Sequence, residues 1–424
     1  LLPGAYAVQM MSGSQGVSLR GSVGLADGSA IVSGYRGNAL DGSHDQLLSS
    51  WRVMSGDVVR KYSEYNEAFA NAFFASDAFK LTQYRLTGKQ VVTPRLPMDG
   101  GAVVFKATQD LILNGQLRSQ AADGGRGGLV DIAAAKIAVV GAEQSAVDLR
   151  TNGYLVLDAT SLSNFGAGSL LLGGMRSGDP GGLRVDVTAR DIIVRNSGSS
   201  ALTGSEIILA ESAAVDLSGG GVIAARGEAP RGAGDLVMAP QVARNGSVAP
   251  SRDWGALIRL SNGDAVRVIR ENVDLTAGGV VTIGAGATLA GGKALLIDAT
   301  RNTYMRPGAQ LSGATLSVAS GRIGFGGGSG LVLDPVALAM LRNTENLILR
   351  SYTSIDFYNA VDLSGLRSVN LDAAILTGYG TSNIDIVANR LVLENTTSTF
   401  SEPIGAGHGR LNLVAEELAF GQGA

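Results

Sequence analysis

From about Gly101 onward the chain alternates short apolar runs with glycine, serine, asparagine and aspartate. Residues 110–114, 153–158, 182–187, 205–210 and 382–387 are examples, each rich in Val, Ile or Leu and bounded by turn formers. Such short runs cannot be helices, and β-branched side chains suit a pleated surface, so each predicts a strand. The expectation is an all-β region over residues 101–424.

Self-comparison adds a repeat. Ala146-Val-Asp-Leu149, Ala214-Val-Asp-Leu217, Asn272-Val-Asp-Leu275 and Ala360-Val-Asp-Leu363 are near copies, with their acids at Asp148, Asp216, Asp274 and Asp362. The intervals between them are about three, three and four multiples of a unit of roughly 20 residues. Leu155-Val-Leu-Asp-Ala-Thr160 returns as Leu295-Leu-Ile-Asp-Ala-Thr300, about seven such units further on. A drifting period built from short strands predicts a solenoid, here a parallel β-helix, in which each turn rises about 4.8 Å and buries its apolar residues against its neighbours.

Two stretches depart from the repeat. Ala256–Ser261 and Asp264–Ile269 flank Asn262-Gly263, a pair that favours a type I′ turn with φ > 0 at both positions. This predicts a β-hairpin near 256–270 that projects from the coil, since antiparallel pairing does not belong inside a parallel stack. Between Lys61 and Leu81, Tyr62, Tyr65, Phe69 and Phe73 recur at three- and four-residue spacing, with Phe74 and Phe79 close by. That pattern predicts one helix near 61–81 in an otherwise irregular region 1–100. Its expected task is to cover a sheet face or a strand edge; the other reading is an aromatic contact for a partner.

Composition narrows the function classes. Of 424 residues 60 are Gly and 10 Pro, with 45% hydrophobic and 17% charged, which is too apolar for a disordered chain and lacks the collagen period. A net charge of -3 argues against nucleic acid as a partner. The absence of cysteine removes disulfides, thiolate nucleophiles and Cys-ligated zinc. Leu129–Ala142, the longest apolar stretch, is interrupted by Asp131 and Lys136 and falls short of the roughly 18 residues of a membrane helix. A chain that opens at Leu1 is expected to be a piece of a longer protein.

The candidate chemistry is thin. His44 and His408 lie far apart, so neither a zinc site nor a Ser-His-Asp triad is expected, and no cofactor is implied. Gly324–Gly330 and Gly405–Gly409 lack the Gly-Lys-Ser/Thr of a phosphate loop and read as corners. Glycosidases hold two carboxylates roughly 5–9.5 Å apart. Val-Asp-Leu copies stacked three turns apart would stand about 14 Å from one another, too far to form that pair, although Asp186 or Asp298 could converge from other turns. Two readings stay open: a non-catalytic binding protein, and a carbohydrate-active β-helix enzyme, either a polysaccharide lyase or a hydrolase. Arg259, Arg267 and Arg270 around the expected hairpin are the candidate binding residues, because guanidinium groups suit carboxylate or sulfate groups on glycans. The alternative is that they only keep an exposed hairpin soluble.

Leu1-Leu-Pro-Gly-Ala-Tyr-Ala-Val8, the segment Trp254–Asp264 and the Val-Asp-Leu-Ser-Gly stretches at 215–219 and 361–365 resemble the filamentous haemagglutinin family of large bacterial exoproteins. The resemblance covers most of the chain. It implies a right-handed parallel β-helix, export by two-partner secretion through an outer-membrane transporter, and a secreted or cell-surface adhesin that binds glycans or receptors of host or neighbouring cells. The family pattern offers no catalytic residue. Its amino-terminal secretion domain is not evident here, which points to a middle or later segment.

Overall fold

The computed structural model describes all residues except 1–4, 13–20, 63–69, 91–97, 109, 113–116, 118, 229–233, 240–252, 343, 381–382, 398–409 and 424. The chain is mostly β, with mainly parallel sheets, and divides into two compact units, Leu1–Pro97 and Met98–Ala424.

The first unit is more ordered than an irregular region. Tyr6–Met10, Ser49–Ser55, Ala30–Gly34 and Val23–Gly24 form an antiparallel four-stranded sheet in that spatial order. The single helix expected near 61–81 is instead several pieces: Gly56–Lys61, Ala70–Ala75 and Asp77–Thr87 are helical. Ser76 causes the last break. Its backbone is extended, and its hydroxyl accepts from the Phe79 amide as an N-cap, ending one helix and starting the next. Tyr65 and Phe69 lie outside the described residues.

In the second unit most neighbouring strands are parallel, and several pairs join strands about one repeat apart. Leu347 stands opposite Val369, and Val369 opposite Leu391, one repeat apart each time. Val281 faces Thr303 and Leu289 faces Leu311 across the same interval in two other sheets, whereas Ile137 stands opposite Ile192 and Val215 opposite Val281, at about two and a half to three times that interval. The largest sheet has twelve strands, extending from Ala102–Lys106 at one edge through Leu129–Ala133 and Ser169–Leu172 to Asn383–Glu394 and Arg410–Phe420. A six-stranded and two four-stranded parallel sheets accompany it. All four contribute to one apolar core: Ile258 and Leu260 from the large sheet, Val215 from the six-stranded one, Leu289 from one small sheet, and Phe325 with Phe357 from the other. The rings of Phe325 and Phe357, opposite each other on neighbouring strands, stack at 4.8 Å.

The projecting hairpin is not there. Ala256–Ser261 is buried at all six positions and sits inside the twelve-stranded sheet, antiparallel to Glu206–Glu211 on one side and to Ala294–Ala299 on the other. Among the described residues it is the one strand of that sheet that runs against its neighbours. The second run contributes only Val268–Ile269, which pairs with Leu236–Met238. Neither Asn262 nor Gly263 has positive φ; the Asn262 side-chain amide donates to the Gly227 carbonyl, and Gly263 donates its amide to Ser261 Oγ. Tertiary partners on both edges of the strand thus override the local turn preference.

A true hairpin lies elsewhere: Gly174–Asp179 pairs antiparallel with Gly182–Val187. Leu236–Met238 and Val268–Ile269 extend it into a small sheet. This sheet lies on the outer face of the large one, where Val185, Leu236 and Val268 pack against Leu171, Ile208 and Leu257. In this region the large sheet is therefore covered on both faces.

Candidate binding site

Covering the outer face has an electrostatic consequence, because charged residues of the large sheet are buried there with it. In one network Arg176, on the covering hairpin, reaches Asp131 with Nε at 2.7 Å and donates from Nη1 to Ser169 Oγ at 2.5 Å. Ser169 donates onward to Glu206, whose other oxygen accepts from Arg259 Nε at 2.7 Å. Arg176, Glu206 and Arg259 are all at least nine-tenths buried as side chains. The result is a relay of alternating charge.

A second network is centred on Arg270, 1% exposed, which binds Asp298 from Nε at 2.8 Å and Asp253 from Nη1 at 3.0 Å. Asp298 also accepts from the Tyr352 hydroxyl at 2.7 Å. Alongside, Arg350 bonds Asp372 at 2.8 Å and the Val268 carbonyl at 2.8 Å. Burial pushes the Asp253 carboxyl up to about 7; Arg270 favours its charged form and the Asp298 charge opposes it. The Glu211 carboxyl is fully buried, and desolvation raises its pKa well above the usual range against the pull of nearby amides and Arg270.

Beside the first network is a cavity of about 520 Å³. Arg176, Ser169 and Glu206 line it, and the pair Arg126–Asp99 joins them, with the Arg126 amide donating to Asp99 at 2.9 Å and its guanidinium bonding at 3.0–3.1 Å. Much of the remaining wall is glycine. Gly127 and Gly168 approach so closely that a Cβ on Gly127 would stand 2.7 Å from the Gly168 Cα, which excludes any larger residue.

The expected site residues separate. Arg259 and Arg270 are buried and committed to carboxylates, so neither offers a free guanidinium to a glycan; Arg259 ties the reversed strand to Glu206 on its neighbour, and Arg270 joins Asp253 to Asp298. Arg267 alone of the three is exposed, held to Asp235 by its backbone amide and guanidinium at 2.9–3.1 Å. Asp186 pairs with Arg184, and Asp298 belongs to the Arg270 network, so these two candidate carboxylates have separate partners. His44 lies beside Tyr35 in an exposed loop, with ring centroids 4.9 Å apart; His408 is outside the described residues. Among the described residues no group of three or more His, Asp or Glu could hold a metal ion, and no helix is long and apolar enough to cross a membrane.

Sequence reasoning did not single out Ser169, Arg176 or Glu206. A partial signal was available: Asp131 and Arg259 each interrupt an apolar run, and Asp298 and Arg350 each close one, and a charge buried there has to find a partner. Comparisons of the chain with protein-family models, with curated proteins and with solved structures found no match.

Proposed function

We propose that the chain is a segment of an exported bacterial surface or secreted adhesin, a right-handed parallel β-helix that binds glycans or receptors on host or neighbouring cells and reaches the outside through an outer-membrane transporter. The observation that carries the binding reading is how the carboxylates are held. Asp131, Glu206, Asp298 and Asp372 are each bonded to an arginine at 2.7–2.8 Å, and Asp99 at the cavity is paired with Arg126. A glycosidase needs a pair of carboxyl groups open toward the sugar; Asp131, Asp298 and Asp372 are buried against guanidinium, and Glu206 is held by Arg259 through one oxygen and keeps only the other toward the cavity. The parallel pairing after one repeat, seen in three sheets, supports the coil.

Such a rod attaches through many weak contacts, so its strength comes from multiplicity at the surface. The test is to pass the purified chain over immobilised acidic and neutral polysaccharides while assaying for new reducing or unsaturated ends. Retention without cleavage is the expected result. Turnover of any polysaccharide overturns the reading in favour of an enzyme, and failure to be retained on any surface overturns adhesion.

A further inference from the structure

The cavity beside Arg176 and Glu206 combines features that select a ligand. Its volume lies within the range of about 300–1,000 Å³ typical of small-molecule sites. Its charges cancel, with Arg126 and Arg176 set against Asp99 and Glu206. An anion would meet the two acids and a cation the two arginines, so neither gains a net field. The polar groups are fixed in place before any ligand arrives: Ser169 is held between Arg176 and Glu206, and Glu206 is anchored by Arg259. Among the described residues Glu206 Oε2 accepts only from Ser169 and so retains acceptor capacity. The rest of the wall is glycine backbone with Ala102, Leu129 and Leu183, a low-relief surface that admits C–H groups.

We infer that this cavity binds a neutral saccharide unit, with the sugar's apolar face on the glycine and leucine wall and its hydroxyls bonded to Glu206 and to the Arg126–Asp99 pair. A sugar ring presents both kinds of surface at once, which neither a lipid tail nor an inorganic anion does. The inference rests on the reading of the chain as a glycan-binding surface protein and locates the contact away from Arg259, Arg267 and Arg270.

The experiment is saturation-transfer NMR on the full chain with lactose, cellobiose and diacetylchitobiose, and with a sulfated heparin disaccharide and galacturonic acid as charged probes. Transfer to at least one neutral disaccharide, insensitive to about 0.5 M salt because neutral contacts are not screened, is the expected result. Ala102→Trp abolishes it, because Ala102 is an exposed residue of the cavity wall and an indole there fills the space. Arg126→Ala weakens it by about three- to tenfold, the size of one net hydrogen bond. Circular dichroism and urea midpoints equal to the parent's verify that both variants are folded. Absence of transfer to all three neutral probes overturns the inference, as does transfer that persists in Ala102→Trp, or a salt-sensitive preference for the charged probes. Adhesion is judged separately on the polysaccharide surfaces: if the parent is retained but binds no disaccharide, the pocket fails and adhesion stands, and in the converse case adhesion fails and the pocket stands.

Discussion

The two units treat apolar residues in opposite ways. In Leu1–Pro97 Val58 is the one apolar side chain buried among the described residues, while Tyr6, Leu40, Tyr62, Phe74 and Leu86 are exposed. The helix Asp77–Thr87 buries none of its residues, and Phe73, Phe74 and Phe79 pack mainly on one another, with centroids 5.1–5.3 Å apart. In Met98–Ala424 apolar side chains of four mainly parallel sheets share one core, and a further cluster forms beneath the covering hairpin. The comparison separates hydrophobicity from burial. An apolar residue stabilises by leaving water, and that requires a second layer to receive it. The second unit supplies such layers through four sheets that share a core, and over part of the large sheet on both faces.

The largest expected effect is at Arg270. Arg270→Ala leaves Asp253 and Asp298 buried without their cation, which costs about 3–5 kcal/mol. Replacing all three together by apolar residues of similar volume costs less than the single change. Urea unfolding followed by far-ultraviolet circular dichroism checks both, and a loss at Arg270→Ala smaller than that of the triple variant would contradict the ionic account. Phe357→Ala comes next, at about 3–5 kcal/mol less a discount for relaxation around the Phe325 stack. A cost as large from Phe73→Ala in the first unit would erase the distinction between the units; less than about 1.5 kcal/mol is expected there, the worth of a partly exposed ring pair.

The Arg270 network also makes the second unit sensitive to pH. Asp253 holds its proton more tightly in the folded chain, up to about 7, than an unfolded aspartate does near 3.8. Its stabilising contribution is complete below the unfolded value and is lost as pH rises through about 7. Glu211 acts in the same direction. Urea midpoints measured at intervals across that window should therefore fall as pH rises, and Asp253→Asn, which mimics the neutral acid, should flatten the fall. A midpoint that rises with pH, unchanged by Asp253→Asn, would show that the cluster stays ionised.

The strand-rich character was legible in the sequence because short apolar runs and turn formers are local properties. Sequence identity between copies was a poorer guide to equivalence. Of the Val-Asp-Leu copies, Ala214–Leu217 is a strand and Val361–Asp362 a short one, but Val147–Thr151 is helical and Val273 makes only an isolated bridge. Leu155–Asp158 and Ala294–Ala299 likewise belong to different sheets; Asp158 caps a helix through Ser161, while Asp298 enters the buried network. A short motif fixes little when its partners across the sheet come from distant parts of the chain. The cavity was illegible for the same reason, since Arg176 and Glu206 meet only through Ser169 and the covering sheet.

The smallest expected effect is close along the chain to the largest. Arg267 carries the same side chain as Arg270 and also pairs with an aspartate, but its guanidinium is 59% exposed against 1%. Water already solvates Arg267, and salt screens its attraction to Asp235. Arg267→Ala should therefore cost no more than about 1 kcal/mol, and adding about 0.5 M salt should shrink that further. Its backbone amide bond to Asp235 survives the substitution, which lowers the loss again. Measuring Arg267→Ala and Arg270→Ala side by side isolates burial as the variable, because charge, residue type and partner type are the same in both. Equal losses would mean that the covering sheet, and not the desolvated ion pair, is what both arginines support.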